Sequence, residues 1–170
     1  MMNTNKRTVS GRKVVLVGGT LSVLVLFGIT FAFRTFGWNR FVANAELQEG
    51  KSNVVYLARA VSACALKTGA LPATSRKVPA ELAQVGKKTY ASTAADWSDE
   101  AFACDAFSIR SPQRFQYEWE KTGEHDGVAR ARADFNGDGV VEATFEQELT
   151  CEERSGKLRC NPGRFRDKNR

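Results

Sequence analysis

The stretch Val14–Phe33 contains twenty residues without a charge or a proline. At about 1.5 Å of rise per residue, a helix of that length reaches about 30 Å, the hydrocarbon thickness of a bilayer. Gly18, Gly19 and Gly28 lie within it, and small residues of this kind allow close packing between membrane helices. The sequence therefore predicts a transmembrane helix over 14–33, and it leaves open whether these glycines contact a partner helix or only lipid.

The positive charge is concentrated around this stretch. Six basic residues and no acidic residue precede position 46, whereas nineteen of each lie from position 46 onward. The formal net charge of +6 therefore comes from the flanks of the apolar stretch and gives no support to a nucleic-acid partner. The positive-inside bias predicts a single-pass inner membrane protein, with residues 1–13 cytoplasmic and the C-terminal domain periplasmic or extracellular. Signal-peptide cleavage after Ala43-Asn44-Ala45 is less favoured, because the apolar run is too long.

A second helical segment follows the apolar stretch. Apolar residues recur there at the spacing of one helix face: Leu47, Val54, Ala58, Val61 and Ala65. Gly69 fits the end of such a helix, and Pro72 prevents its continuation. We expect residues 34–70 to continue the membrane helix outside the bilayer, followed by a connecting region over 71–112.

Beyond residue 113 the apolar period changes to two, which is typical of strands with one buried face. Pairing two of these strands so that residue numbers sum to 276 places Ala133 opposite Ala143 and Arg130 opposite Glu146, and leaves a loop at Gly137-Asp138-Gly139. We predict an antiparallel sheet of about four strands over 113–163 and a solvated basic tail over 164–170. The fold class is thus α+β: a long N-terminal helix, membrane-spanning in its first half, packed on a small antiparallel sheet.

The four cysteines allow three disulfide connectivities. A two-residue turn at Ser155-Gly156 places Cys151 opposite Cys160, at a separation that suits a disulfide. Cys64 then pairs with Cys104, which ties the helix to the connecting region. Metal ligation is the less favoured alternative, because the chain has no C-x-x-C motif and a single histidine.

The segment 134–139 matches the opening of a calcium-binding loop, D-x-[DN]-x-[DN]-G. Its candidate ligands are Asp134, Asn136, Asp138, Val140 and Glu142. Position 12 of the loop would be Phe145 rather than a glutamate. A plain polar turn is the competing interpretation, since Asn, Asp and Gly favour turns by themselves. No other cofactor is expected.

No catalytic motif is present. The lone His125 lies in a polar turn, the cysteines are assigned to disulfides, and the chain lacks the nucleophile-elbow, zinc-protease and phosphate-loop patterns. We therefore expect no catalytic residues and no enzyme activity.

The segment 40–54 resembles the type IV pilin and pseudopilin family. Arg40-Phe41, Ala43 and Lys51-Ser52-Asn53-Val54 are the most similar residues, and Ala133–Gly139 and the Cys151–Cys160 loop also have counterparts in the family. The chain lacks the family's processing motif and its membrane glutamate. The resemblance implies a minor subunit of a type IV pilus (fimbrium) or of a type II secretion-like filament, with other pilin-like subunits and the membrane as partners. The alternative is a non-polymerising, membrane-anchored binding domain outside the cytoplasm, stabilised by calcium.

Overall fold

A computed structural model describes the backbone of residues 38–169 and the side chains of residues 45–168. Helix α1 runs over Trp38–Thr68. It ends at Gly69, which has a φ of 78° and donates its backbone N–H to the Ala65 carbonyl at 2.9 Å. Glycine adopts this left-handed conformation without steric cost, so it terminates the helix. The predicted end of the helix is therefore confirmed.

The predicted fold with a membrane-spanning first half of the helix was wrong. No helix within residues 38–169, α1 included, is long and apolar enough to cross a membrane. In α1, Glu46, Glu49 and Lys51 interrupt the apolar residues. The helix therefore has an apolar stripe on one face and is not apolar all round, as a membrane-spanning helix is. The predicted span Val14–Phe33 and its three glycines lie outside the described residues.

The sheet is a four-stranded antiparallel meander with the strand order β1-β2-β3-β4. Its strands are β1 (Gln116–Lys121), β2 (Asp126–Ala133), β3 (Ala143–Arg154) and β4 (Lys157–Asn169). The register predicted for β2 and β3 is confirmed, with Ala133 opposite Ala143 and Arg130 opposite Glu146. The connecting loop is longer than expected, because the strands separate at residues 134–142.

The hairpin between β3 and β4 turns at Ser155 and Gly156, both of which have positive φ, and places Cys151 opposite Cys160 as predicted. Positive φ at both central residues matches the right-handed twist of the flanking strands. The sequence predicts a solvated tail over 164–170. Instead, β4 continues to Asn169 and pairs with β3 over this length. The second half of β4 is therefore part of the sheet.

The core lies between α1 and one face of the sheet, here called the helix side. The predicted apolar face of α1 is buried from Val54 to Ala65, and Phe115, Tyr117, Trp119 and Phe145 face it from the sheet with no exposed surface. The helix lies close to the sheet at Gly50, where a Cβ atom would lie 2.7 Å from the Phe115 ring. The absence of a side chain at Gly50 thus lets the helix approach the sheet.

The connecting region, residues 71–112, packs against α1 through aromatic rings and a disulfide. It contains the short helix α2 (Glu100–Ala103) and a cluster of aromatic rings in which Trp97 packs edge-on against Phe102 and Phe107, with centroids 5.2 and 5.4 Å away. Phe107 also contacts Tyr56 of α1. The Cys64–Cys104 disulfide joins this region to the helix. The region is therefore a packed layer rather than a linker.

Candidate functional site

The candidate calcium loop is folded around the carboxylate of Asp134. This side chain is 1% exposed, and its two oxygens accept the backbone N–H groups of Gly137 at 2.6 Å and Gly139 at 2.9 Å. Both glycines have positive φ, at 70° and 86°, which a residue with a side chain rarely adopts. The buried charge is thus compensated by backbone dipoles from within the turn.

The other candidate ligands also bond within the loop. Glu142 accepts the backbone N–H groups of Phe135 at 2.7 Å and Asn136 at 3.1 Å, and Asp138 accepts that of Val140 at 2.7 Å. No group of three His, Cys, Asp or Glu side chains within the described residues is placed to hold a metal. Phe145, at the twelfth position, is buried in the core. Asp134, Asp138 and Glu142 therefore cap backbone N–H groups of their own loop.

Charged residues on the face of the sheet opposite α1, here called the open face, form a continuous network centred on Arg130. Its guanidinium contacts Glu118 at 2.5 Å, Glu120 at 2.8 Å and Glu146 at 3.0 Å. Arg132 also contacts Glu118, and Lys168 contacts Glu146 at 2.9 Å. The register predicted from the sequence places Arg130 opposite Glu146 but does not indicate how deeply these side chains are buried. Glu118 and Glu146 are each only 8% exposed.

This network changes the proton affinity of Arg130 and Glu146. Burial alone would lower the pKa of Arg130, but the hydrogen bonds that it donates to Glu118, Glu120 and Glu146 raise that pKa above its ordinary value. Burial alone would raise the pKa of Glu146, but the hydrogen bonds from Lys168 and Arg130 hold it below its ordinary value. Both shifts favour the charged forms of these two side chains.

The residues that carry the pilin resemblance attach α1 to the sheet. Lys51 contacts Asp167 of β4 at 2.7 Å and lies 5.3 Å from the Phe145 ring centroid. Asn53 donates its side-chain N–H to the Tyr117 hydroxyl at 3.1 Å, and Val54 is fully buried. The segment therefore has a packing role in this domain.

A partly buried carboxyl group, that of Glu49, lies next to this segment and was not predicted from the sequence. Glu49 accepts the Arg114 backbone N–H at 3.4 Å, and burial raises the pKa of its carboxyl. Burial also raises the pKa of Tyr117, whose hydroxyl lies beside Glu49. The helical pattern of the sequence places Glu49 opposite the predicted apolar face, and such a pattern does not reveal contact with a distant tyrosine.

Of the residues singled out in the sequence, the four cysteines form the two predicted disulfides. The candidate calcium ligands share one loop: Asp134, Asn136, Asp138, Val140 and Glu142. The packing glycines at 18, 19 and 28 lie outside the described residues.

Comparison of the chain with protein-family models gives no match, and neither do comparisons with curated proteins and with solved structures.

Proposed function

We propose that this chain is a pilin-like subunit that acts outside the cytoplasm through packing rather than through chemistry. The observation that supports it best is the order of parts: a long helix, an antiparallel meander laid against it, and a hairpin closed by Cys151–Cys160 at the C-terminal end. The two disulfides favour an oxidising compartment. The segment 51–54, which carries the resemblance, contacts the sheet directly.

The test is recovery of the full chain from filaments sheared off its native host, together with the mass of its mature N-terminus. A filament subunit is expected in the sheared fraction and trimmed near Gly11 or Gly19. An abundant periplasmic protein, followed in the same fractions, reports leakage. A chain that keeps residue 1 and stays with the cells contradicts the proposal.

The second candidate is a binding domain outside the cytoplasm that does not polymerise. The observation that favours it is that residues 1–45 contain no acidic residue, whereas the resemblance implies a glutamate there that assists docking between subunits. The mature N-terminus separates the two candidates, because this second one predicts an intact residue 1 and no sheared form.

Calcium stabilisation of the loop 134–142 is a prediction of this second candidate. Calorimetric titration of the full chain with calcium chloride should give heat at about millimolar concentration, typical of extracellular sites. Asp138→Asn, in the exposed part of the loop, should weaken that binding. A titration without heat would leave the loop as a self-capped turn.

A further inference from the structure

Strand β4 is the open edge of the sheet. The opposite edge is covered, because Val78 exchanges two backbone hydrogen bonds with Tyr117 of β1, each at 2.8 Å. No strand lies beyond β4 among residues 38–169. An exposed edge presents unpaired backbone groups and is a template for pairing with another strand.

The pairing pattern shows which backbone groups point outward. The Cys151 N–H donates to the His125 carbonyl at 2.8 Å, away from β4, so Cys151 and Cys160 form a non-hydrogen-bonded pair and the backbone groups of Cys160 point outward. The Ser62 hydroxyl donates to the Cys160 carbonyl at 3.4 Å, so α1 already uses this outward acceptor. Pro162, two residues further along, also lies at an outward position, where it has no N–H and offers only its carbonyl to an added strand.

The open face shows what charge a fifth strand would carry. The sign alternates from strand to strand: Glu118 and Glu120 on β1, Arg130 and Arg132 on β2, Glu146 and Glu148 on β3, Arg166 and Lys168 on β4. Opposite charges on neighbouring strands attract, whereas like charges repel. A strand added beside β4 is therefore favoured when its residues on this face are acidic.

The helix side shows what the alternate residues of that strand would meet. A groove with a volume of about 420 Å³ lies between α1 and strands β3 and β4, and apolar atoms from Val55, Leu66, Leu149 and Pro162 line it. Leu66 is 48% exposed. Because side chains alternate between the two faces of a strand, every second residue of an added strand would face this side and favour apolar contact.

We propose that the β4 edge binds an extended segment of a partner protein in which acidic residues alternate with apolar ones, as a fifth strand. Arg159 and Arg164 are exposed and have no ion-pair partner within the described residues, so they are available to its carboxylates. A second copy of β4 is disfavoured, because this strand carries five basic residues and one acidic residue. The proposal goes beyond the proposed function and does not depend on it.

The test is fluorescence anisotropy of the full chain with labelled peptides of about ten residues. An alternating Glu-Val peptide should bind at least about tenfold more tightly than an alternating Lys-Val peptide, and its affinity should fall with added salt. The double substitution Arg159→Glu/Arg164→Glu should reverse this preference. Both side chains are exposed, so circular dichroism should show an unchanged fold.

Two further peptides separate strand addition from simple charge attraction. A Glu-Val peptide of the same composition in block order, and one N-methylated at alternate residues, should each bind at least about tenfold more weakly, because they cannot complete the backbone ladder. Equal binding of either peptide, an unchanged preference in the double variant, or a dimer of the chain that the Glu-Val peptide cannot displace would overturn the proposal.

Discussion

On the helix side of the sheet, aromatic rings of β1 and β3 flank a column of alanines on β2: Ala129, Ala131 and Ala133. On the open face, the same three strands present glutamates, arginines and glutamates in turn. The helix side is held by non-directional burial, in which large and small side chains interdigitate. The middle of the open face is held by charge. Because Glu118, Glu120, Glu146 and Glu148 lie on β1 and β3 and Arg130 and Arg132 lie on β2, the charges there favour β2 between β1 and β3 over direct contact of β1 with β3. The apolar face supplies most of the stability, and the charged face supplies selectivity for neighbours.

The largest loss of stability should come from a substitution on the helix side of the sheet. Phe145→Ala removes a ring that has no exposed surface and packs 5.7 Å from the Phe115 centroid. The loss of burial and the cavity left behind should destabilise the domain by about 3–5 kcal/mol, measured by urea unfolding. Thr150→Ala, on the exposed opposite face of the same strand, is the matched control and should change stability by less than about 0.5 kcal/mol. Equal effects would contradict the comparison of the two faces.

The close contact between helix and sheet gives the next largest effect. At Gly50, a Cβ atom would lie 2.7 Å from the Phe115 ring and 2.8 Å from the Phe145 ring. Gly50→Ala should therefore destabilise by about 1–3 kcal/mol through overpacking, even though alanine favours helix by about 1 kcal/mol. Ser52→Ala, at an exposed position of α1, lacks this contact. If Gly50→Ala stabilised the domain, the rings would be free to move aside.

The sequence predicted the parts of this fold whose signal is local. The hairpin register followed from alternation and from a favourable Arg130–Glu146 pair, and the Cys151–Cys160 disulfide followed from a turn at Ser155-Gly156. The contribution of Gly50 could not be predicted, because it depends on two rings that are distant in sequence. The same limit hid the contacts of Arg130 with Glu118 and Glu120, which require the position of β1. The calcium pattern could not distinguish a ligand from a turn cap, since both uses favour the same oxygen-bearing residues.

On the open face, Arg130→Met keeps much of the aliphatic stem and removes the charge shared by three glutamates. It should destabilise by about 1–2 kcal/mol, less than a fully buried ion pair, because water partly screens the network. Arg154→Met is the control, because its pair with Glu152 is exposed and should contribute less than about 0.5 kcal/mol. Urea unfolding measures both. A more stable Arg130→Met variant would show that burial matters more than charge on this face as well.

The smallest expected effect is the dependence of stability on pH. Glu146 on the open face and Glu49 on the helix side should contribute to it with opposite signs. Glu146 has a lowered pKa because the hydrogen bonds from Lys168 and Arg130 outweigh burial, so its contribution to stability is present above its unfolded pKa and is lost as the pH falls through its folded pKa. Glu49, on the helix side, has a pKa raised by burial. Its contribution is present below its unfolded pKa and is lost as the pH rises through its folded pKa.

Substitution should therefore separate the two carboxyls. Glu146→Gln should make the loss of stability in acid less steep, because it removes a group that must be protonated on acidification. Glu49→Gln should make that loss steeper, because it removes a group whose protonation favours the folded state. Urea midpoints measured between about pH 3 and pH 7 give both slopes relative to the unsubstituted chain. If both substitutions changed the slope in the same direction, the two faces would not differ in how they shift the pKa of a carboxyl group. The difference between the faces would then lie in packing alone.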